Sequence, residues 1–188
     1  MSERMIMDLA AASPLNYVIL RYFNVAGANP EGLLGQATPE ATHLIKVACE
    51  CVTGAREGMS IFGTDYDTRD GTCIRDYIHV EDLAKAHVMA LDYMANGGQS
   101  QVLNCGYGRG FTVREVIDVV KARSGEDFPV QETGRRAGDP AALMADNQRI
   151  TETLGWKPDY DDLDTIVQTA LDWEKKWQRL KKENNKNQ

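Results

Sequence analysis

Arginines in two parts of this 188-residue sequence could bind a phosphorylated ligand. Arg75 lies in the β-rich run 73–80, and Arg135 and Arg136 lie in a glycine-containing loop. The guanidinium fork matches pyrophosphate oxygens, and nearby glycines let a ligand approach the backbone closely. The alternative is that Arg75 pairs with Asp76 or another surface carboxylate, because acidic residues are in excess. The residues themselves favour neither interpretation.

A glycine loop at 106–110, with the sequence GYGRG, is a second candidate for phosphate binding. It follows a short predicted strand and precedes a capped helix, where backbone N–H groups can hold a phosphate. However, its spacing is G-x-G-x-G rather than G-x-G-x-x-G, and no acidic residue ends a following strand about 20 residues on. A tight turn is therefore the favoured interpretation.

The sequence does not indicate a metal site or a catalytic nucleophile. Three aspartates between positions 65 and 70 resemble a loose calcium loop, but the terminal bidentate Glu of an EF-hand is absent. No combination of Ser, His and Asp, or of Cys and His, has a discriminating spacing. The histidines lack mutual metal spacing and are interpreted as packed or hydrogen-bonded residues: His43, His79 and His87.

The composition disfavours several classes of protein. Lys and Arg number 21 against 28 Asp and Glu, and the net charge of −7 disfavours binding to a nucleic-acid backbone. No apolar run reaches the ~20 residues of a membrane span, and the N-terminus has no secretory signal pattern. The sequence therefore predicts a cytoplasmic protein, in which four cysteines are free thiols: Cys49, Cys51, Cys73 and Cys105.

The elements that must position these residues alternate between extended and helical patterns, which favours an α/β fold. Strands are predicted at 17–23, which is interpreted as buried, and at 59–62, 74–80, 101–104 and 129–132. Helices are predicted at 2–12, 38–54, 82–97, 112–125, 147–154 and 163–177, with a long loop at 24–36 and a frayed tail after 179. The best candidates for parallel strands are 17–23 and 101–104. Because strong strands are too few for a complete doubly wound sheet, we expect the end of a larger fold.

Six segments in a fixed order carry a family resemblance from about residue 1 to residue 177. They are LRYFNVAGA at 20–28, THLI at 42–45, IFGTDY with DGT at 61–72, CIRDYIHVEDL at 73–83, GRRAGDPA at 134–141 and LGWKP at 154–158. Together they resemble the UDP-glucose 4-epimerase family of the extended short-chain dehydrogenase/reductase superfamily. The block from 61 to 83 is the most specific part, whereas the arginine loop and LGWKP are shared more widely among sugar-nucleotide enzymes.

The resemblance implies the C-terminal half of such an enzyme, with the N-terminal half missing. The implied fold is the last parallel strands of an NAD-binding Rossmann-like fold plus a small α/β sugar-nucleotide-binding domain. Residues 1–30 would end the nucleotide-binding domain, and 31–180 would belong mainly to the substrate-binding domain. Within it, 82–104 would return a helix and a strand to the nucleotide-binding sheet, and 181–188 would be a disordered tail.

The implied activity is the interconversion of UDP-glucose and UDP-galactose by NAD-dependent oxidation and re-reduction at sugar C4. The family's Tyr-x-x-x-Lys motif and glycine fingerprint are absent from this sequence. We therefore assign no catalytic residue and no metal, and expect the chain alone to be inactive. The alternatives are another NAD-dependent enzyme of the superfamily, such as a 4,6-dehydratase or a decarboxylase, and a non-catalytic UDP-binding fragment. Family members are commonly homodimers.

The resemblance also assigns roles to individual residues. Tyr22 and Phe23 would border the nicotinamide end of NAD, most of whose site would lie outside this chain. Asn24, Arg75 and Arg136 would bind the diphosphate of the UDP-sugar. The remaining implied roles are His43 and Leu44 at the start of the helix over the substrate, Ser60, Ile61 and Phe62 beside the uracil, Asp139 on the ribose hydroxyls, and Leu143 at the position whose size helps decide whether an N-acetylated sugar fits.

Overall fold

The computed structural model describes residues 1–186, which form an α/β fold. Its helices are α1 Ser2–Ala11, α2 Leu44–Val52, α3 Val80–Ala95, α4 Val113–Ser124, α5 Gln148–Leu154 and α6 Leu163–Lys186. Its strands are β1 Val18–Tyr22, β2 Asn24–Ala26, β3 Met59–Phe62, β4 Ile74–Arg75, β5 Tyr77–His79, β6 Gln101–Cys105, β7 Phe111–Thr112, β8 Val130–Thr133 and β9 Ala142–Leu143. The predicted α/β class is confirmed.

The strands form four small sheets that are mostly parallel. β1 pairs with β6, β2 with β5 and β3 with β8, each in parallel. In the fourth sheet, β4 lies between antiparallel β7 and parallel β9. The parallel pairing predicted for 17–23 and 101–104 is therefore confirmed. The division of the chain into two domains stays a prediction.

Two apolar clusters pack the helices against the sheets. The larger one packs α2, α4 and α6 against β3 and β5, with Ile45, Val116 and Leu171 almost fully buried. The smaller one joins α3, α5 and β6 around Trp156, whose indole Nε1 donates to the Asp82 carbonyl at 3.1 Å. Met59 and Tyr77 of the larger cluster also border a surface cleft, so helix packing sets the positions of the strands that line this cleft.

Local sequence signals were sufficient to predict the ends of helix α4 but not the start of helix α2. Thr112 caps α4 by accepting from the Glu115 N–H, and the Glu115 carboxylate accepts from the Thr112 N–H. This capping box and the left-handed Gly125 at the C-terminus confirm the predicted bounds. In contrast, the prediction that a helix begins at 38 is wrong. Glu40 adopts a φ of 50° within a turn, and α2 begins only at Leu44.

Three other predictions about elements need correction. The strand at 17–23 was expected to be buried, but β1 has only one neighbour within residues 1–186, and its side chains are half-buried or exposed. The expected loop at 24–36 begins with β2, because this segment pairs with β5. The run 74–80 is divided between β4 and β5, and Val80 already belongs to α3.

The C-terminal tail also differs from the prediction. A disordered segment was expected over 181–188, but α6 continues as a regular helix to Lys186. The prediction is therefore wrong for residues 181–186, while residues 187 and 188 lie outside the described part of the chain.

Candidate functional site

An open cleft of about 480 Å³ lies between the start of α2, strand β3 and the segment around β4. It brings together eight of the twelve predicted site residues, which come from distant parts of the sequence: Asn24, His43, Leu44, Ser60, Phe62, Arg75, Arg136 and Asp139. The other four predicted residues do not line this cleft: Tyr22, Phe23, Ile61 and Leu143.

Arg75 is held rigidly at the wall of the cleft, with a side chain only 12% exposed. Its Nη1 donates to the carbonyls of Ile74 at 2.7 Å and Pro140 at 2.9 Å. Its Nη2 contacts the Asp139 carboxylate at 3.3 Å. Arg75 therefore pairs with an acid of the cleft rather than with Asp76. A fixed guanidinium has donors left for a ligand, since an arginine has five N–H groups.

Arg136 also lines the cleft and is exposed. Its guanidinium carbon lies 3.7 Å from the centroid of the Phe62 ring, a cation–π contact. Among residues 1–186 it forms no ion pair. The neighbouring Arg135 instead donates to Asp65 at 2.7 Å and lies over the Tyr66 ring, and this hydrogen bond lowers the pKa of Asp65. Of this adjacent pair, only Arg136 has its charge available to a ligand in the cleft.

Strand β3 divides its side chains between the cleft and the core. Ser60 and Phe62 are half-buried and line the cleft, whereas Ile61 is 2% exposed and packs in the larger cluster. Met59 is 7% exposed, belongs to the same cluster and also borders the cleft. This is the two-residue alternation of a strand. The side chain of Ile61 is therefore not available to flank a uracil as predicted, and Ile61 could meet a ligand only through its backbone.

The glycine loop at 106–110 is held by a carboxylate of the same chain. Asp76 is fully buried and accepts from the N–H groups of Tyr107 at 3.1 Å, Gly108 at 2.9 Å and Ala145 at 3.1 Å. A Cβ added to Gly106 would lie 2.8 Å from the Asp76 carboxylate, so the close approach requires glycine. The favoured interpretation of a tight turn is confirmed, because the amides that could bind phosphate already bind Asp76.

Residues 1–106 match the NAD dependent epimerase/dehydratase family, which is more than half of the sequence. The chain belongs to this family. A UDP-glucose 4-epimerase of Azospirillum brasilense is 59% identical over 93% of this chain and 50% of its own length.

Solved structures of the same family agree with the fold. The UDP-Glc/GlcNAc 4-epimerase of Campylobacter jejuni is 53% identical, with a TM-score of 0.76 over 94% of this chain and 54% of its own. The UDP-glucose 4-epimerase of Bifidobacterium longum, in complex with NAD⁺ and UDP, is 38% identical, with a TM-score of 0.85 over 93% of this chain and 52% of its own. The present chain thus spans about half the length of these relatives.

In this epimerase/dehydratase chain, Tyr22 and Phe23 lie at a sheet edge of the kind where nucleotide cofactors bind. Tyr22 ends β1 beside the end of β6, and ligands of parallel sheets bind beyond the carboxyl ends of the strands. The Tyr22 ring is exposed and its centroid lies 6.2 Å from that of His87. Together with Phe23 it offers an aromatic surface. Within residues 1–186, the glycine loop that could have held phosphates is occupied by Asp76.

The histidines of this family member have unequal roles. His79 is fully buried, caps α3 through Nδ1 and bonds Thr169 through Nε2 at 3.0 Å, and burial lowers its pKa. Its interpretation as a packed residue is confirmed. His43 is exposed at the first position before α2, where its Nδ1 lies 2.9 Å from the Gln36 amide nitrogen. His43 therefore faces the cleft and can meet a ligand.

Sequence reasoning missed several residues of the site, among them Arg56 and Tyr77. Both line the cleft, and Tyr77 is almost fully buried. Arg56 was a detectable signal, since it is an arginine three residues before a predicted strand and next to a glycine-containing turn. Asp76, which anchors the loop, lies between two cleft residues and gave no separate signal in the sequence.

No helix within residues 1–186 is long and apolar enough to cross a membrane. All four cysteines are buried and unbridged, as expected for free thiols.

Proposed function

We propose that this chain supplies the UDP-sugar-binding part of a UDP-glucose 4-epimerase. The observation that carries the proposal is the cleft beside β3 that both Arg75 and Arg136 line. Two guanidinium groups lining one cleft suit the two charges of a diphosphate. The family's name covers dehydratases as well, but relatives that are 59% and 47% identical to this chain are named UDP-glucose 4-epimerases.

In this proposal, different residues of the cleft contact different parts of the ligand. Arg75 and Arg136 bind the diphosphate, with Asn24 as a further donor. Phe62 and Ser60 flank the uracil, and the carboxylate of Asp139 accepts from ribose hydroxyls. This arrangement leaves the sugar near the start of α2, where His43 and Leu44 cover it.

NAD belongs to the proposed activity, since this family is NAD-dependent and relatives were solved with it. When bound, NAD supplies the hydride chemistry at sugar C4. Tyr22 and Phe23 would hold its nicotinamide end by contact with their rings. The rest of the proposed enzyme must supply the phosphate cradle and the catalytic base.

A titration with UDP tests the proposal directly. The purified 188-residue chain should bind UDP in isothermal titration calorimetry, and uridine should bind at least about tenfold more weakly, because it lacks the diphosphate. Equal affinities for UDP and uridine, or no binding of UDP, would refute the assignment of the cleft.

The chain alone should show no epimerase turnover. The reason is that its sequence contains neither the Tyr-x-x-x-Lys motif nor the glycine fingerprint of the family. A coupled assay for UDP-glucose formed from UDP-galactose measures this, with the Azospirillum brasilense relative as the positive control. Turnover by the purified chain, free of contaminating epimerase, would contradict the prediction.

Leu143 should govern tolerance of an N-acetylated sugar. It is 44% exposed and lies beside Arg75 in the β4–β9 register. The Campylobacter jejuni relative is described as a UDP-Glc/GlcNAc 4-epimerase, which supports a wide sugar site here. In a full-length enzyme carrying this sequence, Leu143→Tyr should lower the rate on UDP-N-acetylglucosamine relative to UDP-glucose about tenfold, because the larger ring crowds the acetyl group.

The neighbouring Met144 provides the matched control for that substitution, since it is similarly exposed, at 47%. Met144→Tyr should leave the ratio of the two rates unchanged. If Leu143→Tyr also leaves it unchanged, Leu143 does not set the sugar preference.

We also propose a cytoplasmic location, which the four reduced thiols support. Assembly into a homodimer remains a prediction from the resemblance.

A further inference from the structure

A chain of buried charges connects the C-terminal helix α6 with helix α2. Lys46 is 6% exposed and forms an ion pair with Glu174, which is 1% exposed. The Lys46 Nζ also lies 3.2 Å from the Glu50 carboxylate, and the Gln178 amide donates to the other Glu174 oxygen at 2.6 Å. Every charge of this buried group is therefore paired.

The same chain of contacts continues to the wall of the cleft. Arg56 Nε donates to the Glu50 carboxylate at 3.1 Å, and its Nη2 donates to the Ala41 carbonyl at 3.3 Å. Residues 41–44, which run from this carbonyl to the first turn of α2, line the cleft. Five consecutive polar contacts thus lead from α6 to the backbone of the proposed substrate site: Gln178–Glu174, Glu174–Lys46, Lys46–Glu50, Glu50–Arg56 and Arg56–Ala41.

The local sequence does not determine where α2 begins. Its N-cap His43 makes no side-chain cap, and its first turn contains no acidic residue. Lys46 places a positive charge near the positive end of the helix dipole, which disfavours a start at Leu44. A contact from elsewhere in the fold must therefore fix this start, and Glu174 is in the position to do so.

A buried ion pair is weak evidence for stability, because desolvation of both charges offsets their attraction. Its more distinctive property is that it requires one arrangement of the two helices. We infer that the Lys46–Glu174 pair, acting through Glu50 and Arg56, holds the 41–44 wall in the position that binds the UDP-sugar. Lys46 and Glu174 are then positioning residues, and this inference rests on the proposed function.

The double substitution Lys46→Met with Glu174→Met separates positioning from stability. Removing Lys46 alone leaves Glu174 buried and unpaired, so the melting temperature of that variant should fall sharply. The double variant replaces both charges by apolar side chains and should recover most of the lost melting temperature. Its dissociation constant for UDP should nevertheless rise about fivefold, because the wall is no longer held.

A second variant interrupts the series of polar contacts between α6 and Ala41 without leaving an uncompensated buried charge. Glu50→Ala keeps the Lys46–Glu174 pair and removes the link to Arg56, and it should weaken UDP binding by a similar factor. Arg123→Met is the matched control, because Arg123 also pairs with a residue of α6, Asp164, but both side chains are nearly half exposed. Its affinity for UDP should equal that of the wild type.

The outcomes distinguish this inference from the proposed function. A wild-type chain that does not bind UDP removes the proposed function, and the inference falls with it. If the wild type binds UDP and both the double variant and Glu50→Ala bind it equally well, the buried pair is structural only and the inference alone is wrong.

Discussion

Substitution of Arg75 by methionine is expected to weaken UDP binding to this chain about 100-fold. Methionine preserves much of the apolar stem but removes every donor of the guanidinium. A hydrogen bond to a charged group contributes about 1.5 to 3 kcal/mol, so the loss of one or two such bonds accounts for this factor. Arg75→Lys should lose about tenfold, because it retains the charge without the fork.

The pair of adjacent arginines supplies an internal control for this experiment. Arg136→Met should weaken UDP binding strongly, whereas Arg135→Met should not, because Arg135 is already paired with Asp65 outside the cleft. Uridine affinity should change little in all three methionine variants. This comparison identifies the diphosphate as the group whose contacts are lost.

Arg75 also binds two carbonyl groups of its own chain, so its removal can disturb the fold. Urea unfolding of Arg75→Met therefore accompanies the titration. Unchanged UDP affinity in a folded Arg75→Met variant would show that Arg75 serves only the β4 segment, and that the diphosphate binds elsewhere.

The parts of the fold that were predictable are those with local causes. Helix α4 has a capping box at Thr112 and a glycine at 125, and both work through contacts within a few residues. Strand β3 was predicted with its observed bounds as a short strand candidate. Helix α2 shows the limit, because Thr38 with a following proline is a good start signal that the fold does not use. The helix begins at Leu44 instead, and its Lys46 pairs with Glu174 of a helix more than 100 residues away.

The candidate site was likewise predictable only where the local sequence or the family resemblance determines it. From the residues alone, Arg75 was balanced between a ligand and a surface carboxylate, and only the family resemblance favoured the cleft. The resemblance gives no information on which way a side chain faces. Ile61 was therefore included among the predicted site residues, although it packs in the core. Arg56 was missed although it lies three residues before a predicted strand, and its contacts with Glu50 and Ala41 form only when the turn before β3 is folded.

Asp76 shows how a single buried carboxylate can determine both fold and site. Asp76→Asn should lower the free energy of unfolding by about 3 kcal/mol, because one oxygen that accepts an N–H becomes an amide that donates. Whichever way the amide is oriented, at least one backbone N–H among Tyr107, Gly108 and Ala145 then faces a donor. For a domain of this size, the melting temperature should fall by roughly 6 to 12 °C.

Asp92→Asn is the control, since Asp92 is exposed on α3 and the same change of charge should leave the melting temperature within about 2 °C. Differential scanning calorimetry on both variants measures the effect. Because Arg75 and Tyr77 flank Asp76 and line the cleft, UDP affinity should fall as well in Asp76→Asn. A variant as stable as the wild type would mean that the glycine loop is held by packing against Ala145 rather than by the carboxylate, and the loop would then be open again as a site for an anion.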